Sequence, residues 1–193
     1  MIDKVQNALN MLPVDEIEKA ISFLHAVYER DGRIYVIGNG GSWALAGHWV
    51  GDFNKTVFSQ NNLKRFQALR LPSSEVELTA WANDAGYENI FLEPLRNQLQ
   101  ETDILVAISS SGSSPNIVKA VEFAKESNVP VIGLSGFDVE NRLNKLADAK
   151  IHIPTEKGEY EVVESVHGVV LHYLVKYFRD YFNELEKRKV YSL

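Results

Sequence analysis

Asp103-Ile104-Leu105-Val106-Ala107-Ile108 runs without a break into Ser109-Ser110-Ser111-Gly112-Ser113-Ser114, and Pro115 follows at once. The first six residues form a short apolar run. That pattern predicts a strand buried on both faces, as at the centre of a parallel sheet. Pro115 is preorganised for the first turn of a helix. Ile117, Val118, Ala120, Val121 and Ala124 continue that helix with helical spacing. A helix start exposes unpaired N–H groups and the positive end of the dipole, both of which favour anions. Serine hydroxyls add neutral donors in the same place. Gly112 lets the backbone approach a ligand closely or turn left-handed. The plainer reading is a serine-rich capping loop, with Ser114 as the cap. One cap does not require five serines in six residues, and the excess points to an anion cradle. The loop lacks the Gly-Lys-Ser/Thr ending of a nucleotide P-loop.

Upstream, Arg33-Ile34-Tyr35-Val36-Ile37-Gly38 repeats the pattern and enters Asn39-Gly40-Gly41-Ser42. This is a tight strand-to-helix turn and not a G-x-G-x-x-G fingerprint. A helix is expected from Ser42 to about Phe53. A second strand is expected at Phe66–Leu71, and a polar loop region over Leu78–Tyr87. Further helices are expected at Ile90–Gln100 and Val139–Ala147, and further strands at Val129–Leu134 and Ala149–Ile153. Val14, Ile17, Ile21, Leu24 and Val27 fit an amphipathic helix ended by Asp31-Gly32. Strands alternating with helices predict an α/β fold, a parallel sheet flanked by helices on both faces. Ligands in such sheets bind at the carboxyl ends of strands. Both polar loops follow strands directly and so belong to that edge.

The 193 residues favour a single domain over 1–193, with an N-terminal helical segment over about 1–30 and a long C-terminal helix over about 161–188. The formal net charge of −6 argues against a general nucleic-acid or anionic-membrane binder. The absence of cysteine excludes disulfides, thiolate metal sites and a Cys nucleophile. No apolar run approaches the ~20 residues of a membrane span. The first residues lack the layout of a signal peptide, so a cytoplasmic protein is expected.

His48 and Asp52 are four apart on the helix after the glycine turn, hence on one face. They can share a metal, or be an ordinary surface pair. Glu164, His167 and His172 fall on the last helix. Glu164 and His172 lie about 12 Å apart along its axis and ~80° apart around it, so long side chains can converge between them. His172 stands among Val169, Val170, Leu171, Tyr173 and Leu174, which equally suits a core histidine. Trp43 follows the glycine turn as a pocket wall or as helix packing. Glu161 lies one turn before Glu164. His25 and His152 look structural.

Three motifs together resemble the SIS (sugar isomerase) family, closest to its phosphoheptose isomerases: the glycine turn with His48, the serine loop, and Glu164–His172. The resemblance implies a three-layer, flavodoxin-like fold with five parallel strands. It implies aldose–ketose isomerisation of sedoheptulose 7-phosphate or a related phosphosugar through an enediol, in a homotetramer whose sites lie at subunit interfaces. Ser109, Ser110, Ser111 and Ser114 would hold the phosphate, and Asn39, Gly40, Gly41, Ser42, Asp84 and Glu164 would bind or shape the substrate site. His48, Asp52, Glu164 and His172 fall on the family's metal positions, with zinc the expected ion. Asp52 takes the base position and His172 the acid position. The family generally carries Glu where Asp52 stands and Gln where Glu164 stands. Those departures keep open a non-catalytic module that senses a phosphosugar or binds a protein partner.

Overall fold

A computed structural model describes residues 1–58 and 63–191, the side chains of 189–191 excepted. Five strands, β1 (Arg33–Gly38), β2 (Gln67–Arg70), β3 (Ile104–Ser109), β4 (Val131–Gly136) and β5 (Ala149–Ile153), pair in parallel in the order β2-β1-β3-β4-β5. The helices are α1 (Ile2–Asn10), α2 (Val14–Glu29), α3 (Gly40–Lys55), α4 (Glu75–Asp84), α5 (Leu92–Gln98), α6 (Pro115–Glu126), α7 (Arg142–Leu146) and α8 (Tyr160–Tyr191). A 3-10 turn spans Tyr87–Asn89.

The strands read as continuous apolar runs because both faces of the sheet are covered. Alternate residues feed two cores. Ile34, Val36, Val106 and Ile108 pack with Leu24 of α2, Phe53 of α3 and Phe178 of α8. Tyr35, Ile37, Leu105 and Ala107 pack with Leu95 of α5 and Ile117 and Val121 of α6. Every residue of β3 is buried, as expected of the central strand. Burying each such Ile, Leu or Phe contributes about 1.5–3 kcal/mol.

Two features of this frame set the site. Gly38 pairs with Ile108, so the loops after β1 and β3 leave the sheet side by side. That is also where the strand order reverses, the crevice in which doubly wound sheets take ligands. The buried Asp103 fixes the register from the opposite end, accepting the Arg33 and Gln100 backbone N–H groups at 2.8 Å each. In addition, α3 is locked to α8. Phe53 and Phe178 rings lie 5.7 Å apart, and the Trp49 indole donates to the Leu171 carbonyl at 3.0 Å.

Several elements differ from the sequence expectation. Residues 75–84 form α4, where a polar loop region was expected to begin at Leu78. Ser74 caps this helix by accepting the Glu77 N–H at 3.2 Å, and Glu77 in turn accepts from Ser73. The helix fully buries no residue, and only Leu78, Trp81 and Ala82 pack, partly buried, against the core, so its apolar stripe is too short to announce it. The N-terminal segment is two helices separated at Pro13, because proline fits the entry of α2 but has no N–H to continue α1. The elements α5 and α7 are shorter than expected, and α3 begins two residues earlier, at Gly40.

Candidate active site

The serine loop turns at Gly112, whose φ of +60° is left-handed. Its N–H donates to Ser109 through both the carbonyl (3.0 Å) and Oγ (3.2 Å). A Cβ at this position would collide with the Asn141 amide. The loop is pinned from behind by Gly136 N–H on the Ser110 carbonyl at 2.9 Å and by Leu143 N–H on the Gly112 carbonyl at 2.8 Å. Two observations set it apart from a capping loop. Ser114 occupies the N-cap position of α6, yet its side chain makes no capping bond. Ser110 Oγ is buried with no hydrogen-bond partner. A buried hydroxyl left unsatisfied costs free energy unless something else pairs with it.

That hydroxyl borders a recess of about 110 Å³ lined by Asn39, Ser42, Ser109, Ser110, Ser111, Ser114, Tyr160 and Glu164. No lysine or arginine lines it among the described residues. The donors offered to an anion there by the described residues are hydroxyls, amide N–H groups and the α6 dipole. Glu164 also borders a shallower depression with Gly41, Ala44, Leu45, His48 and Ser165. The two hollows therefore meet at the Glu164 carboxylate, which stands directly over Gly41.

Beyond Glu164, the α3–α8 contact brings His48, Asp52 and His172 together. Asp52 Oδ2 lies 3.4 Å from His48 Nε2 and 3.8 Å from His172 Nε2. The two imidazoles meet edge to face at 4.9 Å. One ligand atom from each residue fits within 4.8 Å of the others. The Thr56 hydroxyl donates to Asp52 Oδ1 at 2.9 Å. That bond orients the carboxylate so that Oδ2 faces both rings, as an outer-shell partner does for a metal ligand. Two imidazoles and a carboxylate, with no thiolate, suit zinc with a coordination position left open. Glu164 is not part of this three-residue group; it stands between the group and the serine recess.

The remaining expected residues separate cleanly. His172 is outward-facing, with a side chain 57% exposed, and is not a core histidine. His167 is the core histidine: it is fully buried, with Nε2 3.2 Å from the Ser135 carbonyl, and burial pushes it down to about 4. His152 pairs with Ser135 Oγ at 3.0 Å, and His25 lies among Tyr177, Phe178 and Tyr181, both as structural groups. Burial lowers both of their pKa values. Gly40 and Gly41 lie at the start of α3 beside the recess. Asp84 is exposed at the end of α4, bonded to the Asn83 amide, and borders neither hollow. Trp43 lies under the Arg70 guanidinium at 3.6 Å and walls a small hollow beside Asn39 and Gly40, without bordering the serine recess. Tyr160, which lines the recess, and Asn116, which hydrogen-bonds Asn39 behind it, were not legible as site residues. The first is an exposed aromatic at a helix start, and the second is an ordinary polar residue in the first turn of α6. A cavity of about 540 Å³ runs along the exposed side of α8 past Tyr173, Tyr177 and Tyr181. It shares no lining residue with the serine recess or with the Glu164 depression.

Residues 2–136 match the SIS domain family. The phosphoheptose isomerase of Aneurinibacillus thermoaerophilus is 34% identical over 157 residues, covering 81% of this chain and 76% of that protein. The phosphoheptose isomerase of Fusobacterium nucleatum is 31% identical over 161 residues, covering 83% and 80%. Among solved structures, phosphoheptose isomerase GmhA from Neisseria gonorrhoeae superposes with a TM-score of 0.80 at 27% identity, covering 93% of this chain and 92% of that one.

Proposed function

The chain belongs to the SIS domain family, and from that premise we propose that it is a phosphoheptose isomerase, converting sedoheptulose 7-phosphate to D-glycero-D-manno-heptose 7-phosphate through an enediol. The observation that carries the proposal is the unpartnered, buried Ser110 hydroxyl in a cation-free serine recess, joined through Glu164 to the His48–Asp52–His172 group. A phosphate end and a proton-handling end on one continuous surface are what a phosphosugar isomerase needs.

Ser109, Ser110, Ser111 and Ser114 take the phosphate, and the α6 N-terminus supplies its field. Glu164 belongs at the sugar end, since a carboxylate beside a dianion would repel it. Ser42 and Asn39 line the path between. This remote grip orients the reacting carbons. Asp52 removes a proton from C1 of the ketose. The enediol forms as His172 gives a proton to O2; Asp52 then returns a proton to C2 while His172 takes the O1 proton, leaving the aldehyde at C1. Imidazole suits this because its ordinary pKa lies near neutrality. His48, Asp52 and His172, with Glu164 approaching from the cradle side, would hold a zinc ion that stabilises negative charge on the enediolate oxygen.

No described helix is long and apolar enough to cross a membrane, and we place the enzyme in the cytoplasm. A homotetramer with sites at subunit contacts accounts for two features. The His48 and His172 side chains are 56% and 57% exposed in the lone chain. Val169, Tyr173 and Tyr181 are also exposed along α8. The test is an aldose–ketose assay on C5 to C7 sugar phosphates, with and without zinc. Turnover of the heptose phosphate is expected. Binding without turnover across the panel would make the chain a phosphosugar sensor instead.

A further inference from the structure

Asn116, second residue of α6, is 2% exposed, and its amide has one allowed orientation. The Ile117 backbone N–H points at one terminal atom at 2.9 Å. A backbone N–H only donates, so that atom is the carbonyl Oδ1. Nδ2 then faces Asn39 and donates to its Oδ1 at 2.9 Å, while Asn39 Nδ2 donates back to Asn116 Oδ1 at 2.9 Å. The Tyr87 hydroxyl, 3.1 Å from Asn39 Oδ1, completes the set as a donor. Both lone pairs of Asn39 Oδ1 are thereby taken. What Asn39 has left for the recess it lines is a single N–H. The pair also joins residues 77 apart in sequence, tying the loop after β1 to the helix that begins the phosphate cradle.

We propose that Asn116, with Tyr87 behind it, is a positioning residue that fixes Asn39 as a donor-only group aimed at an acceptor oxygen of the substrate where the sugar leaves the serine recess for the reacting end. The proposal rests on the isomerase reading. Binding energy from a fixed donor remote from the reacting carbons goes into orienting them, so its loss falls on kcat as well as on KM. A freely rotating Asn39 would also offer its carbonyl, which repels that oxygen. Tyr87 belongs to the arrangement because without its hydroxyl the second lone pair of Asn39 becomes available.

The experiment compares the full-length wild type with Asn116→Ala, Asn116→Asp and Tyr87→Phe. Asn116→Asp keeps the side-chain shape and the acceptor but has no hydrogen for Asn39 Oδ1. Three readouts are needed: kcat and KM for sedoheptulose 7-phosphate, the affinity for inorganic phosphate by calorimetry, and Tm. Both Asn116 variants should lose about tenfold or more in kcat/KM, in kcat as well as in KM, and Tyr87→Phe a few-fold. Phosphate affinity in Asn116→Ala should stay within about twofold, because the serine donors are untouched. A kcat/KM within about twofold of wild type in both Asn116 variants overturns the proposal. So does a parallel fall in phosphate affinity, kcat/KM and Tm, which is the signature of a purely structural residue. If the wild type turns over no sugar phosphate, the isomerase reading fails by itself. The brace is then read from binding: Asn116→Ala should weaken sedoheptulose 7-phosphate but not inorganic phosphate, and equal effects on the two refute it.

Discussion

Replacing Gly112 by alanine strikes the cradle at its turn, and the structure sets the cost. The residue is left-handed, at φ +60°, which costs a residue with a Cβ about 1–2 kcal/mol. The new Cβ would also overlap the Asn141 amide. That amide accepts the Asn144 N–H at 2.8 Å as the cap of α7 and donates to the Asp138 carbonyl at 2.7 Å. Displacing the cap adds about 1 kcal/mol. The sum, about 2–3 kcal/mol, corresponds to a fall in Tm of about 5–10 °C for a chain of this size. Function should suffer more. The Gly112 N–H holds Ser109 through both carbonyl and Oγ, so a shifted turn misaims the hydroxyls at the anion. Differential scanning calorimetry and steady-state kinetics on Gly112→Ala, Asn141→Ala and the double variant test this. The double variant should be less destabilised than the sum of the singles, because removing the amide removes the collision. A Gly112→Ala protein with Tm within about 2 °C of wild type and an unchanged KM would refute the reasoning. The loop would then be pliable, and its donors not preorganised.

Gly41→Ala should separate function from stability. Its Cβ would lie 2.7 Å from Glu164 Oε1, the movable end of a side chain, and alanine favours a helix by up to about 1 kcal/mol. Tm should hold or rise while kcat/KM drops. His172→Asn should abolish turnover and leave phosphosugar binding, read by calorimetry, largely intact; unchanged turnover would remove His172 from the mechanism. His167 gives a pH dependence of fixed sign. Burial lowers it to about 4 from an ordinary 6.5, so below about pH 6.5 the unfolded chain binds a proton that the folded chain refuses. Stability is full above that value and declines as pH falls toward 4, by roughly 2 kcal/mol between pH 7 and pH 5. Urea denaturation should show this slope flattened in His167→Gln, and an equal slope in both proteins would contradict it.

The architecture was legible because its signals are local. An apolar run followed at once by a serine or glycine turn marks a strand end, a loop and a helix start within a dozen residues, and β1–α3 and β3–α6 both carry it. The helix α4 escaped because its apolar face is short, only Leu78, Trp81 and Ala82, each partly buried against the core; its clearer signal was the Ser74-x-x-Glu77 cap, which is shorter than any periodicity. Within the site, spacing alone could pair His48 with Asp52. It could not say whether His167 or His172 turns outward, because both sit among apolar residues on one long helix. The contact of α3 with α8 decided that, burying His167 against Ser135 and leaving His172 beside Asp52. The Asn39–Asn116 pair was invisible for a similar reason. It depends on β1 and β3 lying side by side in the sheet, and neither asparagine carries a local mark of it.

The central claim is that the serine recess and the His48–Asp52–His172 group act together on one phosphosugar. Incubating the zinc-supplied protein with sedoheptulose 7-phosphate in D₂O, and following the sugar by proton and phosphorus NMR, tests it most directly. The account predicts the appearance of an aldoheptose 7-phosphate carrying deuterium at C2, with the reaction absent in His172→Asn. A ketose that binds, shifts its phosphorus resonance and remains unconverted and unlabelled would contradict it.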